Sequence, residues 1–237
     1  MKKWKLIISG KKGPEVNMEE DCAIWDSVKE KKNPPTLRFY QWQPPSVSVG
    51  YNQAPEKVVD TGFCKKNNIP IVKRPTGGSA IFHDIELTYS FSSHIECFPS
   101  FASPLDSYLS ICQALKKGVE KTGIELEIRG FSEGKEPSFT TKACFILSSR
   151  HDLVFKNKKV IGSAQRRGKN SFLQHGSILL DIREKLWQKI FLEKIDFGKI
   201  GSLNEFLEKE IKVESLIQFL KEGFEESFNI ELSEAFV

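Results

Sequence analysis

The sequence has no apolar run long enough to span a bilayer, so we expect neither a membrane-spanning helix nor a membrane partner. It has only five cysteines and no Cys-x-x-Cys pair, which argues against a disulfide framework and predicts free thiols in the cytoplasm. The apolar segment near the start is too short for a secretory signal peptide. The net charge of +4 is too small to indicate a nucleic-acid-binding protein.

The sequence does contain enough apolar residues for a substantial core. Hydrophobic residues make up 39% of the chain, and 18 of the 237 residues are Phe. This length is typical of one large domain. We therefore expect a single domain over residues 1–237, with a core over 4–181 and C-terminal helices over 182–237.

Hydrophobic periodicity predicts an α+β fold, with a mixed, largely antiparallel sheet and flanking helices. Asn17 is the expected cap of the first helix because acidic residues follow it. A mobile polar loop is expected over 132–142. The predicted order is a strand over 4–9, a helix from 17, two strands within 36–49 joined by a tight turn, a helix over 55–67, a glycine loop between strands within 71–91, a helix over 105–123, strands within 125–181, and helices from 183.

The glycine loop, Thr76-Gly77-Gly78-Ser79, is the first candidate site. A Gly-Gly pair is most often only a turn, since glycine tolerates a positive φ. Here Lys73 and Arg74 precede the loop, and consecutive backbone N–H groups can bind a carboxylate, phosphate or thioester oxygen. These residues favour a ligand-binding loop.

Two residues near this loop and one farther along the chain carry possible chemistry. His83 and Asp84 point to opposite faces of a strand, so we expect His83 to support the loop or contact a ligand rather than to form a catalytic pair with Asp84. Cys144 follows the polar loop and has several Lys and Arg neighbours in sequence, which favour a reactive thiolate. Cys22 and Cys112 fit the apolar faces of predicted helices and are expected to pack.

A pair of lysines precedes three small residues, Gly162, Ser163 and Ala164. Strand alternation places Lys158 and Lys159 on opposite faces, so one of them can point inward. The small residues leave room beside it for a ligand.

Taken together, three motifs resemble the catalytic domain of the biotin/lipoate protein ligase superfamily. They are KRPTGGSAIFHDIELTYSF, KKVIGSAQRR and LQHGSILLD. The segments GPEVNMEEDCAIW, LRFYQWQPPSVSVGYNQ and ACF shortly before HDLVF resemble, more narrowly, the cysteine-dependent octanoyltransferases of lipoate assembly, which are relatives of lipoate-protein ligase A. The resemblance covers about residues 4–181.

This resemblance implies that Cys144 is the nucleophile and that Lys159 is its catalytic partner. It implies an acyl-binding or substrate-binding role for Arg74, Thr76, Gly77, Gly78, Ser79, His83, Gly162, Ser163, Ala164, His175 and Gly176. The implied reaction moves octanoate from acyl carrier protein, through a cysteine thioester, to a lysine of the lipoyl domain of a 2-oxoacid dehydrogenase E2 or of the glycine-cleavage H protein. No metal and no cofactor are expected.

The resemblance leaves alternatives open. Ser79 stands where many ligases have another Gly and transferases often have Arg, so the substrate preference stays undecided. An ATP-dependent lipoate ligase would use ATP and Mg and would need no covalent role for Cys144. An amidotransferase moving octanoyl or lipoyl groups between lipoyl domains is the third possibility. Basic residues 156–159 and 166–169 are candidates for steering acidic carrier and lipoyl domains.

Overall fold

Two β-sheets and six α-helices make up the part of the chain that the computed structural model describes, residues 2–129 and 152–235. The strands are β1 (Lys2–Lys12), β2 (Thr36–Trp42), β3 (Ser46–Val49), β4 (Ile71–Lys73), β5 (Ile81–His83), β6 (Glu86–His94), β7 (Glu127–Ile128), β8 (Leu153–Phe155), β9 (Lys158–Arg167), β10 (Ser171–Leu179) and β11 (Ile230–Glu234). The helices are α1 (Pro14–Lys29), α2 (Thr61–Lys66), α3 (Pro104–Glu120), α4 (Glu184–Ile190), α5 (Leu203–Leu207) and α6 (Val213–Phe228).

The larger sheet has eight strands in the order β11-β1-β2-β6-β10-β9-β8-β7. Strand β1 is parallel to β11 and β2, and every other neighbouring pair is antiparallel. This mixed, mostly antiparallel sheet with flanking helices confirms the predicted α+β fold. The hairpin between β8 and β9 turns at Lys156 and Asn157, which both have positive φ angles, as a tight two-residue hairpin requires.

The two faces of the large sheet are covered by different helices. Side chains alternate along a strand, so Leu37 and Phe39 of β2 face the main core, which the apolar faces of α3 and α6 complete. Arg38 and Tyr40 point to the opposite face, where helix α1 packs. That second face carries the candidate site.

The smaller sheet has the order β4-β3-β5, with β3 in the centre. Strand β3 is parallel to β4 and antiparallel to β5. The glycine loop therefore connects two strands that do not pair with each other, and it crosses over the end of β3. The interpretation of this loop as a simple hairpin turn is wrong.

Several predicted boundaries differ from the structure. Helix α1 begins at Pro14, and Asn17 is buried inside it instead of capping it, because its amide donates to the carbonyls of Lys12 and Gln41. The helix expected over 55–67 is interrupted, since Asp60 caps a new helix by accepting a hydrogen bond from Phe63 N–H. The segments on either side of Pro44 are strands, as predicted, but they belong to different sheets.

The C-terminal segment also differs from the prediction of helices alone. After α6 the chain forms β11, which adds an edge strand beside β1. The predicted mobile loop over 132–142 and the candidate nucleophile Cys144 both lie outside the described residues.

Candidate active site

A cavity with about 460 Å³ of empty space, including its open mouth, lies where the α1 face of the large sheet meets the small sheet. Met18, Trp42 and Ile81 supply apolar walls. The remaining lining residues are Tyr40, Ser48, Arg74, Ser79, His83, Thr88, Lys159, Gly162, Ser163, Ala164, His175, Gly176 and Ser177. Nine predicted site residues thus meet at one cavity, although they come from three separate parts of the sequence.

Lys159 is the inward-facing member of the lysine pair. Its side chain is buried, and its Nζ lies 2.9 Å from Oδ1 of the equally buried Asp152. Lys158 points outward and pairs with Glu205 at 2.6 Å. The cavity wall therefore contains a lysine side chain that a buried carboxylate holds in place.

Arg74 organises the glycine loop from inside. Its guanidinium donates to the carbonyls of Gly77 and Ser79, at 2.7 and 2.8 Å, and also to the hydroxyl of Thr76 and the carbonyl of Ser48. Among the described residues, none accepts a hydrogen bond from the amide N–H of Gly77 or Gly78. With the loop carbonyls engaged, these N–H groups are available to bind an oxygen atom.

A close backbone contact fixes the same loop from outside. A Cβ added to Gly50 would lie 1.9 Å from the carbonyl oxygen of Gly78, which itself has a positive φ of 86°. The amide of Tyr51 also donates to the carbonyl of Thr76 at 2.8 Å. Only glycine at position 50 permits this approach.

His83 is buried against the floor of the cavity. Its ring stacks on Trp42 with centroids 3.9 Å apart, and its Nε2 lies 2.8 Å from the Ser48 hydroxyl. Burial lowers the pKa of His83, and this effect outweighs the nearby Glu86 carboxylate, which raises it. His83 is therefore neutral near pH 7, and Asp84 instead pairs with Arg183 on the surface, so the two do not act as a pair.

His175 contacts two protein groups, Asp21 of α1 at 3.0 Å and Thr76 of the glycine loop at 2.6 Å. Burial alone would raise the pKa of Asp21, but His175 and Arg38 together outweigh it and hold the pKa below its usual range. The neighbouring Gly176 has no room for a side chain, since an added Cβ would lie 2.5 Å from the carbonyl oxygen of Gly162.

The structure settles the packing of two cysteines. Cys112 is buried in the main core, and burial raises its pKa well above the usual range, as expected of an inert thiol. Cys22 is only half-buried, and burial also raises the pKa of its thiol.

The basic cluster after Ala164 separates into two roles. Arg167 donates to the carbonyls of Phe101 and Ala102 and is a structural residue. Arg166 is exposed, lies over the rings of Tyr51 and Trp25, and donates to the Pro75 carbonyl at 3.1 Å. Arg166 is therefore placed to meet a partner beside the glycine loop.

The sequence profile of the family described as "Lipoyl protein ligase A/B catalytic domain" matches residues 13–225. Octanoyltransferase LipM of Bacillus subtilis is 37% identical over 243 residues, which cover 97% of this chain and 87% of that protein. Octanoyltransferase LipM of Geobacillus kaustophilus is 36% identical, with the same coverage. The chain belongs to the lipoyl protein ligase A/B catalytic domain family.

Solved structures agree with this family fold. A lipoate-protein ligase A bound with ATP has a TM-score of 0.83 at 22% identity and covers all of this chain and 90% of its own. A two-part lipoate protein ligase with its E2 lipoyl domain, from Thermoplasma acidophilum, has a TM-score of 0.74 at 20% identity and covers all of this chain and 88% of its own. At these identities the likeness concerns the fold alone.

Several residues of this family site carry no clear signal in the sequence. Asp152 directly precedes the apolar strand β8, and this position is the only indication of a role that the sequence gives. In the sequence, Asp21 resembles an ordinary acidic residue near the start of a helix, and Arg38 resembles the exposed residue of an alternating strand. All three are buried, and each forms an ion pair with another buried side chain.

Residues 2–129 and 152–235 contain neither a metal-binding cluster nor a membrane-spanning helix. Within these ranges there is no cluster of three or more His, Cys, Asp or Glu side chains that could hold a metal ion. The helices there are too short or too polar to cross a membrane.

Proposed function

We propose that this chain is an octanoyltransferase that moves an octanoyl group from acyl carrier protein to Cys144, and then to a lysine of a lipoyl domain or of the glycine-cleavage H protein. Its family and its close relatives make it an acyltransferase. The observation that carries the proposal is the buried Lys159–Asp152 pair in the wall of a cavity bordered by the glycine loop.

The cavity suits an apolar acyl chain with a polar reacting end. Met18, Trp42 and Ile81 offer apolar surface, and each methylene removed from water contributes about 0.8 kcal/mol to binding. Lys159 and the backbone of Gly162 lie in the same wall. A thioester carbonyl beside them would meet a positive charge at its oxygen.

In the first step the Cys144 thiolate attacks the carbonyl carbon of the octanoyl thioester. The bond to the carrier sulfur breaks, and the carrier leaves as a thiolate that takes up a proton. A Lys159 ammonium near Cys144 would favour the thiolate over the thiol, because an opposite charge nearby lowers a thiol pKa.

In the second step the neutral amine of the acceptor lysine attacks the same carbonyl. An amide forms, the carbon–sulfur bond to Cys144 breaks, and the cysteine leaves as a thiolate that takes up the proton lost by the amine. Both steps pass through a tetrahedral oxyanion, which the glycine-loop N–H groups and Lys159 can stabilise.

The proposed partners are acidic proteins that meet the open mouth. Arg166 and Lys73 are exposed beside the glycine loop. The archaeal neighbour was solved as a lipoylation system with its E2 lipoyl domain, which supports a lipoyl domain as the acceptor. We also propose that the protein acts in the cytoplasm and without a cofactor.

Intact-mass spectrometry of the full chain with octanoyl-acyl carrier protein, in the absence of ATP, tests the covalent step. We expect an octanoyl adduct in the wild type that hydroxylamine removes, and no adduct in Cys144→Ala. Cys97→Ala is the control, because Cys97 is a free cysteine that is only partly buried, and this variant should still form the adduct.

Two results would overturn the proposal. An adduct that persists in Cys144→Ala would remove Cys144 as the nucleophile. Octanoyl transfer that occurs only with ATP and free octanoate would make the protein a ligase. Supplying octanoylated H protein as the donor distinguishes an amidotransferase, which would accept it in preference to octanoyl-acyl carrier protein.

A further inference from the structure

A buried row of three side chains connects helix α1 to the glycine loop through strand β10. His175 Nδ1 lies 3.0 Å from Asp21 Oδ2, and His175 Nε2 lies 2.6 Å from Thr76 Oγ1. Asp21 and Thr76 are fully buried, and His175 is 5% exposed. The row therefore runs from the helix to the loop almost without solvent contact.

The direction of each hydrogen bond follows from its neighbours. The Asp21 carboxylate can only accept, so Nδ1 of His175 carries a proton. Arg74 can only donate, and its Nε lies 3.2 Å from Thr76 Oγ1, so this oxygen accepts from Arg74. Thr76 has a single hydroxyl proton, and we assign it to Nε2 of His175, which leaves His175 with its own proton on Nδ1 alone.

This arrangement leaves no nitrogen of His175 for a substrate. The resemblance to known families implied that His175 contacts the substrate, and its ring does line the cavity. Both nitrogens are bound to protein groups, however, so the ring meets the cavity through carbon atoms only. A hydrogen bond from His175 to the substrate would require the row to break.

The loop end of the row meets the groups that shape the oxyanion site. Arg74, which donates to Thr76, also donates to the carbonyls of Gly77 and Ser79. At the other end, Arg38 and Tyr40 donate to Asp21 at 2.7 and 2.9 Å. The orientation of the loop is thus connected to helix α1 by an unbroken series of hydrogen bonds.

We propose that Asp21 and His175 are positioning residues: they fix the hydroxyl of Thr76 and, through Arg74, the loop carbonyls, so that the loop N–H groups face the reacting carbonyl in both acyl-transfer steps. This inference rests on the proposed function. It adds a role for a helix residue that lies 154 positions from His175 in the sequence.

The tautomer of His175 provides a test that is independent of activity. Nitrogen-15 NMR of the full chain, labelled at histidine, should show a neutral His175 with its proton on Nδ1. In Asp21→Asn the new carbonyl should turn to Arg38, which can only donate, and the new NH₂ should turn to His175. Nδ1 must then accept, and the proton should move to Nε2.

The activity test measures octanoylation of Cys144 and transfer to a lipoyl domain as separate steps. In Asp21→Asn we expect kcat to fall at least about tenfold in both steps while KM stays within about twofold, because the interaction is used in the transition state. Asp26→Asn, on the exposed side of the same helix, is the matched control and should retain full activity.

Thr76 supplies the second variant, in case Asp21→Asn folds poorly. Thr76→Val keeps the shape and removes the hydroxyl, and it should show the same loss of kcat. Thr76→Ser keeps the hydroxyl and should retain activity within about threefold.

A proton on Nε2 in the wild type would refute the assigned tautomer of His175. A normal kcat in Asp21→Asn, despite a switched tautomer, would refute the positioning role. Equal activity of Thr76→Val and Thr76→Ser would refute the role of the hydroxyl. If instead no octanoyl adduct forms even in the wild type, the proposed function fails while the tautomer measurement still stands.

Discussion

Arg38→Met should destabilise the fold far more than the loss of an ordinary surface arginine. Arg38 is fully buried, and each of its five N–H groups donates a hydrogen bond, to acceptors on Ser9, Asn17, Glu20 and Asp21. Met has a similar length but no donor. The substitution would leave the buried Asp21 carboxylate without its cation.

Breaking one side of a buried ion pair costs about 3–5 kcal/mol. A stability change of 1 kcal/mol shifts Tm by about 2–4 °C at this chain length, so Tm should fall by roughly 6–20 °C. Urea unfolding followed by circular dichroism measures the free energy of unfolding directly. Lys3→Met, which removes an exposed pair with Glu231, should cost no more than about 1 kcal/mol.

The double variant Arg38→Met with Asp21→Asn makes the test specific. Removing the carboxylate charge should recover part of the lost unfolding free energy. The sum of the two single losses should therefore exceed the loss in the double variant by at least about 1 kcal/mol. A cost for Arg38→Met equal to that of Lys3→Met, or strict additivity, would refute the argument that the pair of Arg38 and Asp21 stabilises the packing of helix α1.

Two further predictions concern the loop and the cavity floor. Gly50→Ala should lower octanoyl transfer at least about tenfold, because its Cβ would displace the Gly78 carbonyl; Gly13→Ala, whose Cβ meets nothing within 4 Å, should have no effect, and equal activities would contradict the reasoning. His83 has a lowered pKa when folded, so its contribution to stability is complete above the unfolded pKa of about 6.5 and is lost as the pH falls below that value. Urea unfolding between pH 7.5 and 5.5 should therefore show a smaller fall in stability for His83→Gln than for the wild type, and parallel curves would rule this out.

The sequence predicted the parts of the structure that depend on local periodicity. The strands around Leu37, Val47 and Gly162 follow alternation, and the inward direction of Lys159 follows from the same rule. The predicted start of α1 was wrong because the polar groups of Asn17 bind the backbone of strand β2 and the side chain of Arg38 instead of capping the helix. Periodicity alone does not contain that information.

The candidate site was only partly predictable for the same reason. Nine residues that line the cavity were recognised by motif, but their partners were not. Asp152 and Asp21 acquire their importance from burial beside Lys159 and His175. Such pairing is a property of the folded chain, since a short stretch around either acid reads as an ordinary charged segment.

The crossing of the glycine loop over β3 has a mechanical consequence. A loop at the tip of a hairpin can swing as a unit on its two paired strands. Here the two arms, β4 and β5, are each bonded to opposite edges of β3, so they are separated by two strand spacings, or about 10 Å. The loop is fixed at both ends, and moving it as a unit would require the hydrogen bonds between β3 and either β4 or β5 to break.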